Sequence, residues 1–366
     1  MLCAMLCCFH AFAQEAEVAG RTTESEDSGT QWLIVPRIDV NPYAPLKNGG
    51  YKGFDLGSTS LYGLFEGAFG ESDFSYSVEA HLLSSDPAAL YGNTFRSDDV
   101  NWLDWANITY APGNLYFTAG KQIMSVGSFE IDDYDYDAHI NLCSTLWNNL
   151  QVYQWGIAAG WISDDESTDL SLQMVTSPYG ERPFSSGLYT YSALWRGEYG
   201  PWMPLWSVGA MAYDKGAYVG HIAVGNQFSV GDFTLGLDLS TRGYDFDFNE
   251  TTAVALLGWE PSEKFALKAK YGIEYLSGSE DVIGWDPYLD DEDPSDYYVP
   301  ASLRYACSKR MAPGVSPEKR VYQFGGIVAE YRPMENLRVH AALAANTWAK
   351  SLSVNIGATY FLSLRK

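Results

Sequence analysis

The sequence predicts an all-β fold: a transmembrane antiparallel β-barrel of about 16 strands, with short periplasmic turns and long outer loops. Many short stretches alternate apolar and polar residues, and the connections between them alternate between short and long. No stretch of the mature chain has the roughly 18 consecutive apolar residues that a transmembrane helix requires. Aromatic residues form 15% of the 366 residues and glycine is frequent, which favours β-structure over helix.

The N-terminus has the features of a secretory signal peptide. The first twelve residues are apolar apart from His10, and a small-residue cleavage pattern ends at Ala13. We therefore expect residues 1–13 to be removed on export. Residues 14–29 are rich in Ser, Thr, Glu and Asp and are expected to form a flexible acidic leader. The barrel is then predicted to occupy residues 30–366.

Sixteen stretches have the composition and length of strands that cross a bilayer. Along residues 265–275, for example, apolar side chains occupy the odd positions, while Lys268, Lys270 and Glu274 occupy even ones. A soluble sheet with one buried face would show the same alternation, so the pattern does not by itself indicate a membrane. The predicted strands lie near residues 30–39, 58–69, 73–83, 101–110, 114–124, 151–163, 168–176, 188–199, 205–214, 217–230, 232–241, 251–260, 264–276, 321–332, 337–348 and 351–363.

The lengths of the connections favour a membrane barrel over a soluble sandwich. From the second predicted strand onward, every second connection is a short turn rich in Gly, Pro, Ser or Asn. Most of the intervening connections are long, although those near residues 215 and 349 are short. A barrel with one set of ends in the periplasm and the other outside the cell has this arrangement. The long connections are residues 84–100, 125–150, 177–187, 242–250 and 277–320.

Charge and motifs exclude several functions. A net charge of −23 argues against nucleic acid as a partner, because phosphates require Lys and Arg. The chain has no G-x-S-x-G, H-E-x-x-H or Walker A motif and its five histidines are scattered, so we expect no enzyme, no cofactor and no metal site. Only Cys143 and Cys307 would survive signal cleavage, and they either form a disulfide or remain free.

One part of the chain resembles a known family. The segments Thr118–Gln122 and Val126–Glu130 are similar to the phosphate-selective porin O and P family, in which a Gly-Lys-Gln element precedes the inward loop. The stretch from Asp135 to Asn149 is similar to porin-like proteins of Bacteroidetes. The resemblance implies a sixteen-stranded porin, a trimer, and a loop that lines the pore. It does not carry over phosphate selectivity, because that property rests on Arg and Lys ladders whereas this loop is acidic.

The loop at residues 125–150 is the predicted constriction of the pore. It contains five carboxylates interleaved with aromatic residues. By the order of the predicted strands it is the third outer loop, the one that folds into the lumen of sixteen-stranded porins. Carboxylates in a narrow lumen would attract cations. The alternative is a hydrated acidic loop on the cell surface. The carboxylates are Glu130, Asp132, Asp133, Asp135 and Asp137.

The wall of the pore is predicted from the polar faces of the strands. Lys268, Lys270 and Glu274 share the polar face of one strand, and Glu79 lies on that of another. Each lysine would cost roughly 2–4 kcal/mol if it pointed into the lipid midplane, so these side chains should point inward.

These observations predict a porin of the Gram-negative outer membrane, embedded in its lipids, through which small hydrophilic solutes or ions diffuse passively. The alternative is a non-conducting barrel that binds a partner through its surface loops, an idea favoured by the length of the connection at residues 277–320. A soluble secreted β-protein is the third interpretation.

Overall fold

The computed structural model describes residues 31–45, 53–55, 59–70, 72–84, 103–132, 142, 144, 150, 152–180, 184–276, 320–346 and 351–365. They form one closed antiparallel β-barrel with a single helical turn inside the described ranges. Among these residues, no helix is both long enough and apolar enough to cross a membrane.

Eighteen β segments and one short helix make up the described chain. The helix is α1 (Phe129–Asp132). The β segments are β1 (Gln31–Pro45), β2 (Gly53–Asp55), β3 (Ser60–Ala68), β4 (Phe74–Ser84), β5 (Leu103–Tyr110), β6 (Leu115–Ile123), β7 (Tyr153–Ile162), β8 (Thr168–Thr176), β9 (Tyr189–Gly197), β10 (Trp202–Asp214), β11 (Ala217–Val230), β12 (Phe233–Tyr244), β13 (Glu250–Ser262), β14 (Phe265–Leu276), β15 (Arg320–Met334), β16 (Leu337–Asn346), β17 (Ser351–Tyr360) and β18 (Leu362–Arg365).

The eighteen segments form sixteen barrel strands. β2 and β3 pair with successive parts of β1 and count as one strand, and β17 and β18 do the same on the other side of β1. Every other segment pairs with its neighbours in the chain, and β1 closes the ring. Closure removes the open edges whose unpaired N–H and C=O groups lipid could not satisfy. The predicted strand number is confirmed.

One predicted turn was too long. The sequence placed residues 200–204 in a turn, but β10 already begins at Trp202 and contains Pro204. Proline has no N–H to donate. Pro204 pairs with Asn226 of β11, whereas pairing with β9 starts only at Leu205. No hydrogen bond to β9 is therefore required from Pro204.

Successive antiparallel strands end alternately at the two ends of the barrel, so the short turns fall at one end and the connections predicted to be long begin at the other. We call these the turn end and the loop end. At the turn end, Gly113 and Gly231 have φ angles of 65° and 59°, which glycine adopts without strain. Successive strands are therefore joined tightly at this end.

The strands point apolar side chains outward and polar side chains inward. On β12, Leu235, Leu237 and Leu239 are 39–51% exposed on the outer surface, whereas Asp238 and Ser240 are 6% exposed inside. A soluble protein has the reverse arrangement, and a lipid-facing barrel has this one. Four large aromatic side chains lie exposed near the turn end: Tyr110, Trp161, Tyr199 and Trp259.

Candidate functional site

After β6 the chain turns into the barrel. The Met124 N–H donates a 2.7 Å hydrogen bond to the carbonyl of Val152, and the chain then runs along the inner wall. We call residues 124–131 the inner segment. Six of its eight residues are at most 5% exposed.

The inner segment is first bonded to β8 and β10. The Ser125 N–H donates to Oε1 of Gln173 at 2.8 Å, and the Gly127 N–H donates to Oγ of Ser207 at 2.7 Å. Both acceptors are inward-facing side chains of the wall, buried at 6% and 4% exposure. They satisfy backbone donors that would otherwise be buried without a partner.

The densest bonding is to β12. The carboxylate of Asp238 accepts hydrogen bonds from the Ser128 hydroxyl at 3.1 Å, the Phe129 N–H at 3.1 Å and the Glu130 N–H at 2.8 Å. The two amides belong to the start of α1, where a helix has N–H groups without internal partners. Asp238, on β12 of the barrel wall, therefore caps the helical turn, a role that a residue just before the helix usually has.

An ion pair follows at β14. Oε1 of Glu130 lies 2.7 Å from Nζ of Lys270, and the side chains are 2% and 1% exposed. The Ser144 N–H also donates to Oε1 of Glu130 at 2.9 Å. Further along, Leu142 packs against Val328 on β15 and other apolar residues of β16. Each charged group here has a partner of opposite charge, as burial requires.

Apolar packing supports the polar contacts. Phe129 lies against Leu205 and Leu256, at 1% exposure. Burial of one such side chain stabilises a protein by roughly 1.5–3 kcal/mol. A second apolar cluster joins three residues of the inner segment to residues before β7 and on the wall strands: Met124, Val126, Ile131, Leu150, Val152, Val175, Met211, Val219 and Ala223.

Two glycines allow the segment to lie against the wall. A Cβ atom on Gly127 would come within 2.7 Å of the Cα of Trp206 on β10. A Cβ atom on Gly225 would lie 2.8 Å from Oδ1 of Asp238 and 3.0 Å from Cδ2 of Phe129. Any larger residue would push the segment away from the wall.

Of the predicted constriction carboxylates, Glu130 is the one whose side chain is described. It is buried in the ion pair with Lys270 and holds the segment to the wall. The backbone of Asp132 ends α1, but its side chain lies outside the described residues, as do Asp133, Asp135 and Asp137. Their place at a constriction stays a prediction.

The four predicted wall residues all point into the barrel. Lys268 pairs with Glu330 at 3.0 Å, and Glu274 accepts a 3.3 Å hydrogen bond from the Thr252 hydroxyl. Glu79 is 2% exposed. That these residues line a pore remains a prediction.

Several interior residues were not singled out from the sequence. Asp238 bonds to the inner segment, and Arg242 pairs with Glu250 at 3.1 Å. His340 on β16 bonds to Asn355 on β17. All of them lie on the polar faces of strands in which apolar and polar residues alternate. An ionisable residue on such a face was the signal in the sequence that could have identified them.

The described residues contain no group of three or more His, Cys, Asp or Glu side chains placed to hold a metal ion. Cys143 and Cys307 lie outside the described residues, so whether they form a disulfide stays open. The signal peptide and leader at residues 1–29 also lie outside them and stay predictions.

Comparison with known proteins places the fold. No family model and no curated protein matches the sequence. A loop-deleted form of OmpT, an outer membrane protein of Vibrio cholerae, has a TM-score of 0.59 and 12% identity, over 92% of this chain and 100% of that one. The outer membrane channel DcaP of Acinetobacter baumannii has a TM-score of 0.57 and 15% identity, over 93% and 99%. A mutant of the Rh. blastica porin has a TM-score of 0.56 and 12% identity, over 91% and 100%.

The fold is that of outer-membrane barrels. Identities this low establish the architecture alone. They agree with a general porin-type barrel and do not single out the phosphate-selective family.

Proposed function

We propose that the protein is a porin of the Gram-negative outer membrane that lets small hydrophilic solutes or ions diffuse passively. The observation that carries the proposal is the closed sixteen-stranded barrel with an apolar outer surface and a polar interior crossed by the inner segment. The likeness to solved barrels described as a channel and a porin supports it. In this proposal the signal peptide is cleaved on export, and no catalysis is involved.

The inner segment would narrow the lumen. It follows the wall from β8 to β14, so passage would be left between the segment and the opposite wall. Glu130 and Lys270 neutralise each other, so a bias towards cations would have to come from Asp132, Asp133, Asp135 and Asp137. This refines the constriction that the sequence predicts.

The charges of the wall do not favour phosphate. Three inward bases each face a carboxylate: Lys268 with Glu330, Lys270 with Glu130 and Arg242 with Glu250. A base that is already paired contributes little positive potential to a passing anion. We therefore do not extend the proposal to phosphate selectivity.

A trimer is part of the proposal. One of the similar solved structures is described as a trimer form of OmpT. Three copies would bury part of the apolar outer surface against one another and leave the rest to lipid.

A second candidate is a non-conducting barrel that binds a partner through its loops. Burial of interior polar side chains favours it, because Glu274, Asn355 and Arg338 are at most 1% exposed. The lining of a wide, water-filled lumen would be more accessible than this.

Planar-bilayer recording separates the two candidates. Full-length protein is refolded, shown to be inserted by its heat-modifiable mobility, and recorded under a salt gradient. Stable conductance steps with a cation-selective reversal potential are expected. Silence from folded, inserted protein would support the partner-binding barrel, and anion selectivity would contradict the role of the acidic loop.

A further inference from the structure

We propose that Asp238 is the positioning residue of the inner segment and that it sets the free cross-section beside the segment. The effect on cross-section rests on the proposed channel function. The anchoring itself can be tested without conduction.

Both oxygens of the Asp238 carboxylate are bonded to the inner segment. Oδ1 accepts from the Phe129 N–H, and Oδ2 accepts from the Ser128 hydroxyl and the Glu130 N–H. The carboxylate is 6% exposed, and Phe129 and Glu130 are 1% and 3% exposed. Without the carboxylate, two backbone N–H groups would be buried and unsatisfied, which is costly enough to move the chain.

The other wall contacts hold the segment less firmly. Gln173 and Ser207 each accept one backbone N–H with a neutral oxygen. Lys270 bonds to the side chain of Glu130, which can rotate without moving the backbone. Asp238 instead bonds to three successive residues with a charged acceptor, so it fixes both the distance and the orientation of the segment.

The neighbouring strand β11 has a glycine where it meets this contact. Gly225 pairs directly with Asp238 across β11 and β12. A Cβ atom there would lie 2.8 Å from the carboxylate and 3.1 Å from the carbonyl oxygen of Gly127. Gly225→Ala should therefore disturb the same contact sterically while leaving every hydrogen-bonding group in the sequence.

The experiment uses hydrogen–deuterium exchange and bilayer conductance on full-length, folded protein. The variants are Asp238→Ala, Asp238→Asn and Gly225→Ala. The control is Ser240→Ala, because Ser240 lies on the same strand and face at the same 6% exposure. Within the described part of the chain, it is not among the groups that bond to the inner segment.

Exchange of the Phe129 and Glu130 amides is expected to rise roughly ten-fold in Asp238→Ala. Asp238→Asn keeps one acceptor oxygen and should give an intermediate rate, and Ser240→Ala should match the wild type. Unchanged exchange in folded Asp238→Ala would overturn the anchoring. If that variant does not fold, Asp238→Asn and Gly225→Ala decide by the same criterion.

Conductance then tests the effect on cross-section. Asp238→Ala is expected to change the single-channel conductance by roughly half or more and to shift the size of polyethylene glycol that enters the pore. Faster exchange with unchanged conductance and unchanged size limit would overturn this effect. If the wild type itself does not conduct, the channel function fails, and the exchange rates alone decide whether Asp238 holds the segment.

Discussion

Polar side chains of the barrel interior are hydrogen-bonded in different ways in two regions. Between β8 and β14 the inner segment covers the wall, and its backbone N–H groups bond to wall side chains. In the part of the wall formed by β1, β3, β4 and β5, side chains instead bond to one another. The Trp105 Nε1–H donates to the Ser77 hydroxyl at 2.7 Å, and that hydroxyl donates to Oε1 of Glu66 at 2.8 Å.

The second region also contains an apolar cluster that includes Tyr62 and Phe361, and two arginines lie over these rings. Arg37 lies over the ring of Tyr62 at 5.8 Å, and Arg338 lies over that of Phe361 at 5.8 Å. These side chains can adjust individually, because each contact joins two side chains. A backbone segment cannot adjust in this way, so each of its anchors affects the others. A substitution in the first region should therefore weaken several contacts of the inner segment, whereas one in the second region should affect only its own contact.

The largest expected effect comes from breaking the buried ion pair of the first region. Glu130→Gln leaves Lys270 buried without its carboxylate, which should destabilise the fold by about 3–5 kcal/mol. Urea unfolding in lipid vesicles measures the change. The reversal potential should also move towards anions, because one positive charge is no longer balanced.

The charge-swapped double variant, Glu130→Lys with Lys270→Glu, serves as the control and should recover much of both effects. Lys268→Gln breaks a comparable pair away from the inner segment and should leave the exchange of that segment unchanged. A Glu130→Gln protein with wild-type stability and selectivity would show that the Glu130–Lys270 pair neither stabilises the fold nor affects selectivity.

A smaller loss is expected at the closest approach of the segment to the wall. Gly127→Ala places a methyl group against the backbone of β10, and such overpacking costs about 1–3 kcal/mol. Gly258→Ala is the matched control, since its Cβ would meet Thr234 at an ordinary 3.6 Å. Equal unfolding free energies for the two variants would contradict a tight fit at Gly127.

The barrel could be predicted because its pattern is local. Strand alternation and turn residues are legible within about ten positions, so β14 and its inward Lys268, Lys270 and Glu274 were found from the sequence. The start of β10 was misplaced, because pairing on only one side of Pro204 is not visible in the sequence alone.

The site was harder to predict because its contacts are distant in the chain. Asp238 is more than 100 residues from the groups it binds, and nothing near it indicates that partner. Glu130 was identified, but as a charge facing the pore. Its partner Lys270 lies 140 positions away, and only the closed barrel brings the two together.

In the second region we expect a local effect. Trp105→Phe keeps an aromatic ring but removes the indole N–H that donates to Ser77, and one such hydrogen bond contributes about 0.5–1.5 kcal/mol. Urea unfolding should register that loss, while amide exchange of residues 124–131 stays as in the wild type. Faster exchange there would show that the two regions are coupled.

The smallest effect is expected outside the membrane-spanning strands, in the turn between β7 and β8. Hydrogen bonds from the Ser163 and Ser167 hydroxyls hold the pKa of Asp165 below its ordinary value. A carboxyl with a lowered pKa adds stability above its ordinary pKa, and that stability is lost as the pH falls through the folded value. Ser163→Ala should therefore raise the pKa of Asp165, measured by NMR titration of the carboxyl carbon. Because the side chain is fully exposed, neither interior region should respond, and a change in inner-segment exchange across this pH range would have to come from another group.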